Sequence, residues 1–265
     1  MIPKKIHYCW LSGEDMPSNI QMCINSWKEI MPEYELILWD KDRFEIKSVL
    51  YVEEACKAKK WAFAADYIRS YALYKEGGIY MDSDVLVKKK FDQFLKYDFF
   101  TSVRYNSSVI RKRKTLDLLN EDGTAKIPFT RKPGFGIQAA VLGSIKGHPY
   151  LEDCLAYYSD KHFIIDDRSI SNQILASDLY AMLAEKYGYK YKNELQHLNN
   201  NMLILPSEIF AGDLEEATDN SYAIHYCAGS WTEPTIRSTL RKILENMKMD
   251  KVIRELVKKP RNYKL

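Results

Sequence analysis

The apolar residues of the chain form short strand-like runs that alternate with segments of helical spacing. Residues 5–10 and 34–39 are rich in strand-forming side chains, and the second run is apolar at nearly every position. Between them, residues 19–30 place apolar side chains three and four positions apart, which is the period of an amphipathic helix. An apolar strand is typical of a parallel sheet with both faces covered. The opening therefore predicts a strand, a helix and a second strand.

The same alternation continues beyond these elements. Gly77 and Gly78 end a predicted helix and are followed at once by an apolar strand, as expected of glycines just beyond a helix. Strands alternating with helices predict an α/β fold with a mixed, mainly parallel sheet flanked by helices. The further predicted elements are helices at 49–60, 62–75, 149–159 and 169–187, strands at 79–81, 98–103, 202–205 and 223–226, and an apolar run at 136–142.

One stretch does not follow this alternation. Residues 106–133 are polar and basic, and Gly123, Pro128 and Pro133 interrupt them. Long connections without their own secondary structure are uncommon in domains and are often functional. We predict a long loop or lid here.

Composition indicates a globular protein with one sizeable core. The chain has 265 residues, of which 46% are hydrophobic and 28% charged. No apolar stretch of signal-peptide length opens the sequence and no run of 18 apolar residues occurs, so we expect a cytosolic protein. Five scattered cysteines do not suggest a disulfide framework or a Cys-x-x-Cys metal site. We expect reduced thiols at Cys9, Cys23, Cys56, Cys154 and Cys227.

Positive charge is concentrated at the C-terminal end. Residues 236–265 hold ten Lys and Arg against three acids, a net charge of +7, so the rest of the chain carries −4 of the overall +3. Apolar residues recur there at roughly helical spacing, which predicts a basic amphipathic helix. Such a helix either packs on the core or binds an anionic membrane surface. Nucleic acid is not expected as a partner.

The strongest chemical signal is Asp82-Ser83-Asp84. Residues i and i+2 of a strand point to one side, so the spacing aims both carboxylates together at the end of the predicted strand 79–81. Ligands of open α/β sheets bind at this edge. Two close carboxylates repel each other unless a cation lies between them, and their oxygens suit Mg²⁺ or Mn²⁺. The motif therefore predicts a divalent metal site.

A second pair of candidate residues precedes this motif. Asp66 and Arg69 are three apart on a predicted helix and therefore share one face. Taken alone, they would form an ordinary surface ion pair. Because the Gly77-Gly78 turn and Asp82-Ser83-Asp84 follow, the pair also fits a site that binds hydroxyl or phosphate oxygens.

These motifs resemble glycosyltransferase family 32, a group with a DXD motif that includes capsule and cell-surface sugar transferases. The resemblance is carried by Ile-Pro-Lys-Lys-Ile-His-Tyr-Cys-Trp at residues 2–10, by Asp66-x-x-Arg69 with Gly-Gly-Ile-Tyr-Met-Asp-x-Asp at 77–84, and by His225-x-x-x-x-Ser230-Trp231. It covers roughly the first ninety residues and a short stretch near the end. The middle of the chain has no such counterpart.

The resemblance implies a Rossmann-like GT-A domain over residues 1–235, followed by the basic tail at 236–265. It also implies a retaining transfer from a nucleoside-diphosphate sugar, preferably a UDP-sugar, to a saccharide or lipid-linked saccharide in surface polysaccharide synthesis. The implied metal is Mn²⁺, or else Mg²⁺, with Asp84, His225 and Asp82 as ligands. The enzyme would work in the cytoplasm, at the inner face of the membrane if the tail binds there.

The resemblance also implies roles in donor binding. Trp10 would lie against the nucleobase with Tyr8 nearby, Asp66 and Arg69 would hold the sugar, and Asp82 would contact ribose or sugar hydroxyls. The residues near the departing phosphate would be Ser230 and Trp231, whose hydroxyl and indole N–H could stabilise negative charge. The residues that could face the anomeric carbon or the acceptor are Gln138, Asn172 and Gln173.

Other interpretations remain open at the level of sequence. Trp10, Trp231 and His225 could equally be core residues. Asp82 could be the nucleophile of a haloacid-dehalogenase-like phosphohydrolase, although Leu86 stands where those enzymes have Thr or Val and no second acid follows Gly212-Asp213 at their usual offset. A non-catalytic module that binds sugar nucleotides is the third alternative.

Overall fold

The computed structural model of the chain describes residues 1–163 and 174–226. The residues predicted at 172–173 and 230–231, and the tail at 236–265, lie outside the described residues. Eleven strands are defined in the described ranges. They are β1 Lys5–Cys9, β2 Glu35–Trp39, β3 Gly78–Met81, β4 Val85–Val87, β5 Phe99–Tyr105, β6 Phe135–Ile137, β7 Val141–Ser144, β8 Gln196–Leu198, β9 Met202–Leu205, β10 Phe210–Ala211 and β11 Ala223–His225.

A mixed sheet organises most of these strands. Its order is β2-β1-β3-β7-β5-β9-β8, with β6 paired to β5. Strands β2, β1 and β3 are parallel, β7 is antiparallel to both β3 and β5, and β5 is parallel to β9. Consequently β2, β1, β3, β5 and β9 all run in one direction, and the predicted mainly parallel α/β sheet is confirmed. A smaller sheet has the order β10-β11-β4.

Helices cover the large sheet, and several of their limits follow from local chemistry. Gly77 ends the helix Trp61–Glu76 with φ +65°, and a Cβ at this position would lie 2.8 Å from the Lys146 amide nitrogen, so the turn requires glycine. In the described parts of the chain, no helix is long and apolar enough to cross a bilayer. The helices are α1 Ser18–Ile30, α2 Leu50–Lys57, α3 Trp61–Glu76, α4 Ser107–Arg113, α5 Pro149–Tyr158 and α6 Ala176–Ala184.

Two apolar clusters form the core, and neighbouring residues of a strand contribute to different ones. Tyr80 and Phe99 belong to one cluster, whereas Ile79 and Phe100 belong to the other. This alternation is the two-residue period of a strand that is covered on both faces. The predicted free thiols are confirmed for the described cysteines, Cys9, Cys23, Cys56 and Cys154.

A buried histidine joins three elements of the core. His7 on β1 accepts a hydrogen bond at Nδ1 from the Trp39 indole on β2, with an N···N distance of 3.0 Å. Its Nε2 donates to the Gly77 carbonyl oxygen at 2.8 Å, because that oxygen can only accept. These partners require the neutral ring, and burial lowers the pKa of His7 below its usual value.

The prediction of an irregular loop over residues 106–133 is wrong in its first half. This half contains α4, a 3₁₀ turn at Thr115–Leu118 and a bridge between Leu119 and Ala125. The Asn106 side chain caps α4 by accepting from the Val109 amide, and Ile110 is buried. The helix was not foreseen because it is short and basic, with little apolar periodicity. The apolar run at 136–142 likewise splits into β6 and β7.

Candidate functional site

Three potential metal ligands meet where β3, β4 and β11 come together. Asp82 and Asp84 lie in the turn between β3 and β4, and β11 pairs with β4 so that His225 is opposite Val85. His225 Nε2 lies 3.2 Å from Asp84 Oδ1 and 3.9 Å from Asp82 Oδ2. The three ligand atoms are all within 4.8 Å of one another. The two-carboxylate and imidazole cluster predicted from the sequence is therefore assembled.

The reason for this convergence differs from the one predicted. Asp82 and Asp84 do not continue strand β3; they form a tight turn in which the Val85 amide donates to the Asp82 carbonyl at 3.0 Å. The Tyr226 amide donates to the Asp84 carbonyl at 2.8 Å, which fixes β11 against this turn. The turn and the β4–β11 pairing, rather than strand periodicity, bring the side chains together.

The cluster has the chemistry of a divalent-metal site. Bonds of about 2.1 Å to an octahedral ion place neighbouring ligand atoms about 3 Å apart. His225 Nε2 and Asp84 Oδ1, 3.2 Å apart, are close to this value, and Asp82 Oδ2 lies further from the imidazole at 3.9 Å. Two carboxylate oxygens are hard ligands, and an imidazole nitrogen suits Mn²⁺ better than Mg²⁺. Asp82, Asp84 and His225 therefore fit a metal ion of the kind that DXD motifs hold.

The two oxygens of Asp82 face different partners. Oδ1 accepts from the Tyr80 hydroxyl at 2.9 Å and lies 3.4 Å from Arg69 Nη2. Oδ2 faces His225. We call the candidate ligands Asp82, Asp84 and His225 the metal cluster. Asp82 thus connects this cluster to the buried guanidinium of Arg69. Tyr80 was not singled out as a site residue, although it is only two positions before Asp82 and its hydroxyl contacts the Asp82 carboxylate.

Arg69 is held on all sides. It is 4% exposed, Nη2 pairs with Asp66 Oδ1 at 2.9 Å, and Nη1 donates to the Ala139 carbonyl at 2.6 Å. Its guanidinium carbon lies 5.0 Å from the centre of the Tyr80 ring. Burial favours the neutral form, but Asp82 and Tyr80 outweigh it and raise the pKa of Arg69 well above its usual value. The alternative of an ordinary surface pair is wrong, because both partners are buried.

Asp66 is a buried carboxyl with a raised pKa. Burial raises its pKa to about 7, Arg69 opposes that rise and Asp82 adds to it. A carboxyl that titrates near neutrality can accept or donate a hydrogen bond to a hydroxyl. Perturbed groups of this kind concentrate at functional sites.

Gln138 lies beside the Arg69 partner Ala139. Its Nε2 donates to the Phe210 carbonyl at 3.4 Å, and its Oε1 accepts from the Ala140 amide at 3.3 Å. The side chain is buried, so its position is fixed by backbone contacts. Its role at the anomeric carbon stays a prediction.

Tyr8 and Trp10 lie at the end of β1, on the same edge of the sheet as the end of β3. Tyr8 packs edge-on against Trp27 with ring centres 5.5 Å apart, and the Trp10 indole donates to the Glu14 carbonyl at 2.6 Å. Both are half-buried. Their place in nucleotide binding stays a prediction, as do the roles of Ser230 and Trp231 outside the described residues.

Comparison with known proteins agrees with this geometry. The family described as "Glycosyltransferase sugar-binding region containing DXD motif" matches residues 17–101, which include Asp66, Arg69, Asp82 and Asp84. Through this region the chain resembles the DXD-containing, family 32-type glycosyltransferases. The glycosyltransferase resemblance is confirmed, and it favours this enzyme class over a phosphohydrolase with Asp82 as nucleophile.

Two glycosyltransferases illustrate the relationship. An uncharacterized glycosyltransferase of Acanthamoeba polyphaga mimivirus is 34% identical over 108 residues, 38% of this chain and 42% of that protein. Inositol phosphoceramide mannosyltransferase 3 of Schizosaccharomyces pombe is 28% identical over 154 residues, 57% of this chain and 35% of that protein. The chain spans less than half the length of these relatives.

Solved glycosyltransferase structures show a more distant likeness. The PaToxG glycosyltransferase has a TM-score of 0.46 with 16% identity, over 70% of this chain and 69% of that one. The galactosyltransferase LgtC, solved with donor and acceptor sugar analogues, has a TM-score of 0.45 with 14% identity, over 84% and 87%. The fold assignment rests on the sheet described above.

Proposed function

We propose that this glycosyltransferase moves a sugar from a nucleoside-diphosphate donor, preferably a UDP-sugar, to a saccharide or lipid-linked saccharide with retention of configuration. The proposal rests on Asp82, which belongs to the cluster with Asp84 and His225 while its Oδ1 contacts Arg69 and Tyr80. A metal cluster and a buried polar pair therefore adjoin through one carboxylate. This is the arrangement needed to hold a diphosphate and its sugar together.

Asp84 Oδ1, His225 Nε2 and Asp82 Oδ2 would hold Mn²⁺, with Mg²⁺ as the weaker fit because of the imidazole. When bound, the ion stabilises the negative charge that develops on the departing diphosphate. The carboxylates have a second effect in the protein itself. Asp84 faces the imidazole of His225, and Asp82 faces the guanidinium of Arg69. The site is therefore not purely acidic, and a diphosphate can approach it.

Arg69 and Asp66 would orient the donor sugar. The guanidinium is locked by the Ala139 carbonyl and by Asp66, so it does not have to reorganise when a ligand binds. A sugar that loses its phosphate gains oxocarbenium character, and its hydroxyls need fixed partners during that change. Asp66, with its raised pKa, can serve a hydroxyl as acceptor or donor.

The proposal also covers the nucleobase of the donor, the acceptor and the cellular location of the enzyme. The preference for UDP, the retaining outcome and a role in surface polysaccharide synthesis follow from the family 32 resemblance. A lipid-linked acceptor is in keeping with one relative, which is named as an inositol phosphoceramide mannosyltransferase. We place the enzyme in the cytoplasm, at the inner face of the membrane when its acceptor is a lipid.

The experiment is a thermal-shift panel of UDP- and GDP-sugars with Mn²⁺, followed by donor hydrolysis. A ligand that binds only the folded protein raises its stability with the logarithm of ligand concentration. Asp84→Asn is expected to abolish the metal-dependent shift and to lower hydrolysis about a hundredfold or more, a typical cost of losing a group that stabilises developing charge. The control is Asp160→Asn, at an exposed acid outside the cluster. This variant is expected to keep both the metal-dependent thermal shift and donor hydrolysis.

Two results would contradict the proposal. One is full metal-dependent hydrolysis by Asp84→Asn. The other is a folded wild-type protein that no nucleoside-diphosphate sugar stabilises in the presence of Mn²⁺.

A further inference from the structure

The connection between β5 and β6 exposes a cluster of large apolar side chains. Of the large apolar residues that are exposed in the described parts of the chain, four lie within residues 116–129: Leu116, Leu118, Ile127 and Phe129. Ile127 is 66% exposed and Phe129 54%. Single exposed apolar residues need no explanation, but a group in one short segment indicates an interaction surface.

The loop that carries Ile127 and Phe129 is held in place by a buried lysine. Lys132 is 2% exposed, and its ammonium donates to the Thr130 carbonyl at 2.7 Å and to the Ile127 carbonyl at 3.1 Å. The same ammonium lies 5.3 Å from the centre of the Tyr191 ring. A buried ammonium is costly unless it is fully used. The loop therefore has a defined shape with its apolar side chains outside.

Phe129 has a backbone conformation that is unfavourable for a large side chain. Its φ is +56°, in the left-handed region that bulky residues rarely adopt. The Phe129 amide donates to Glu185 Oε2 at 2.8 Å, which holds the strained residue in position. Phe129 is nevertheless exposed, so burial of its ring does not compensate for the strained backbone.

A short hairpin brings the remaining apolar residues near this loop. The Lys126 amide donates to the Leu118 carbonyl at 3.0 Å, and the Lys126 ammonium donates to the Asp117 carbonyl at 3.0 Å. These bonds place the 116–118 segment directly beside the start of the loop at Ile127. The four apolar side chains therefore belong to one structural unit, which we call the 107–133 unit.

The unit also carries an excess of basic side chains. Six exposed basic residues stand against three exposed acids, Asp117, Glu121 and Asp122. The basic residues are Arg111, Lys112, Arg113, Lys114, Lys126 and Arg131. The unit therefore combines projecting apolar groups with an excess of positive charge.

The 107–133 unit leaves the sheet at the same edge as the metal cluster. Strands β3 and β5 are both antiparallel to β7 and so run in the same direction. Asp82 directly follows β3, and the unit directly follows β5. A surface bound to the unit would face the edge of the sheet at which the cluster lies.

We propose that the 107–133 unit binds an anionic phospholipid bilayer, with Ile127 and Phe129 in the interfacial layer and the cations against the headgroups. Exposed apolar side chains in a basic segment fit a fluid bilayer interface, which can open around them, and each basic residue gains from the negative surface. Binding of the unit to a bilayer does not depend on which sugar the enzyme transfers.

The test is co-sedimentation of the full chain with vesicles of phosphatidylcholine and phosphatidylglycerol in equal parts at low salt. The double variant Ile127→Ser/Phe129→Ser is expected to lower partitioning about tenfold, because two apolar side chains no longer enter the interface. Leu50→Ser is the matched control, since Leu50 is 46% exposed and lies on α2 outside the unit. This control retains binding.

Charge is tested separately. Lys112→Glu/Arg113→Glu should weaken binding to the mixed vesicles, and added salt should weaken binding of the wild type. Equal binding of the wild type to pure phosphatidylcholine would overturn the role of the cations. Failure of the wild type to bind, or undiminished binding by Ile127→Ser/Phe129→Ser, would overturn the proposal.

Folding and donor binding are read independently. The Ile127→Ser/Phe129→Ser variant should keep the thermal unfolding temperature and the Mn²⁺-dependent shift with donor sugars, because its changed side chains are exposed. If donor binding fails in the wild type while vesicle binding depends on Phe129, the proposed function is wrong and the surface assignment stands.

Discussion

Asp82 is held by two groups that are not themselves candidate metal ligands. The Tyr80 hydroxyl and Arg69 occupy Oδ1, so the carboxylate plane is set before any ligand arrives and Oδ2 is left on the side of Asp84 and His225. Groups that orient a metal ligand in this way commonly change metal affinity by tenfold or more when they are removed. Tyr80 is therefore a positioning residue.

Tyr80→Phe tests this role. The variant loses the hydrogen bond to Asp82 but keeps the ring under Arg69, so we expect Mn²⁺ affinity to fall about tenfold. Titration of free Mn²⁺ by electron paramagnetic resonance measures it without a donor sugar. Tyr34→Phe is the control, because Tyr34 makes a comparable bond to Asp92 at 3.3 Å elsewhere. Equal Mn²⁺ affinity in both variants would show that the bond does not position Asp82.

Arg69 allows a comparison of a buried with an exposed ion pair. Arg69→Met leaves Asp66 buried without its cation, and we expect the free energy of unfolding to fall by about 3 kcal/mol or more. Arg43→Met breaks the pair with Glu76 at 2.8 Å, where Arg43 is 43% exposed, and should cost less than about 1 kcal/mol. Urea unfolding monitored by circular dichroism measures both. Similar losses in the two variants would contradict the structural role given to burial.

At the scale of elements, sequence periodicity predicted what is local and missed what depends on distant pairing. The helices α1 and α3 and the strands β1, β2 and β3 follow from apolar spacing and from the Gly77-Gly78 turn. Strand β4 was not foreseen because it is three residues long and pairs with β11, far along the chain. The splitting of 136–142 into β6 and β7 depends on their separate pairing with β5.

The junction of β1, β2 and the α3–β3 turn should be sensitive to pH through His7. The folded pKa of His7 is lowered by burial, so below its unfolded value of about 6.5 the unfolded chain binds a proton that the folded chain resists. Stability is therefore lost as pH falls through this window and is fully present above it. In the His7→Gln variant, the side chain at this position has no titrating group.

Unfolding free energies at about pH 7.5 and about pH 5 compare the two proteins. The wild type is expected to lose more stability than His7→Gln on acidification, since all other titrating groups are shared. An equal loss in the two proteins would show that His7 is not held neutral.

For the whole molecule, the candidate site was predictable to the extent that its residues lie within recognisable motifs. Asp66, Arg69, Asp82 and Asp84 lie in one stretch that the family match also covers. The position of His225 next to them required the β4–β11 pairing, which spacing alone does not reveal. The burial of Arg69 could not be inferred either, because an acid and a base three apart are usually a surface pair.

The shared position of Asp82 has a thermodynamic consequence. One carboxylate serves the metal cluster through Oδ2 and the Arg69–Tyr80 pair through Oδ1, so occupancy on one side changes the charge felt on the other. Thermodynamic linkage makes this coupling reciprocal. If the ion tightens the binding of the sugar nucleotide by a given factor, the sugar nucleotide tightens the binding of the ion by the same factor. Retention of the ion between turnovers would thus depend on the supply of donor.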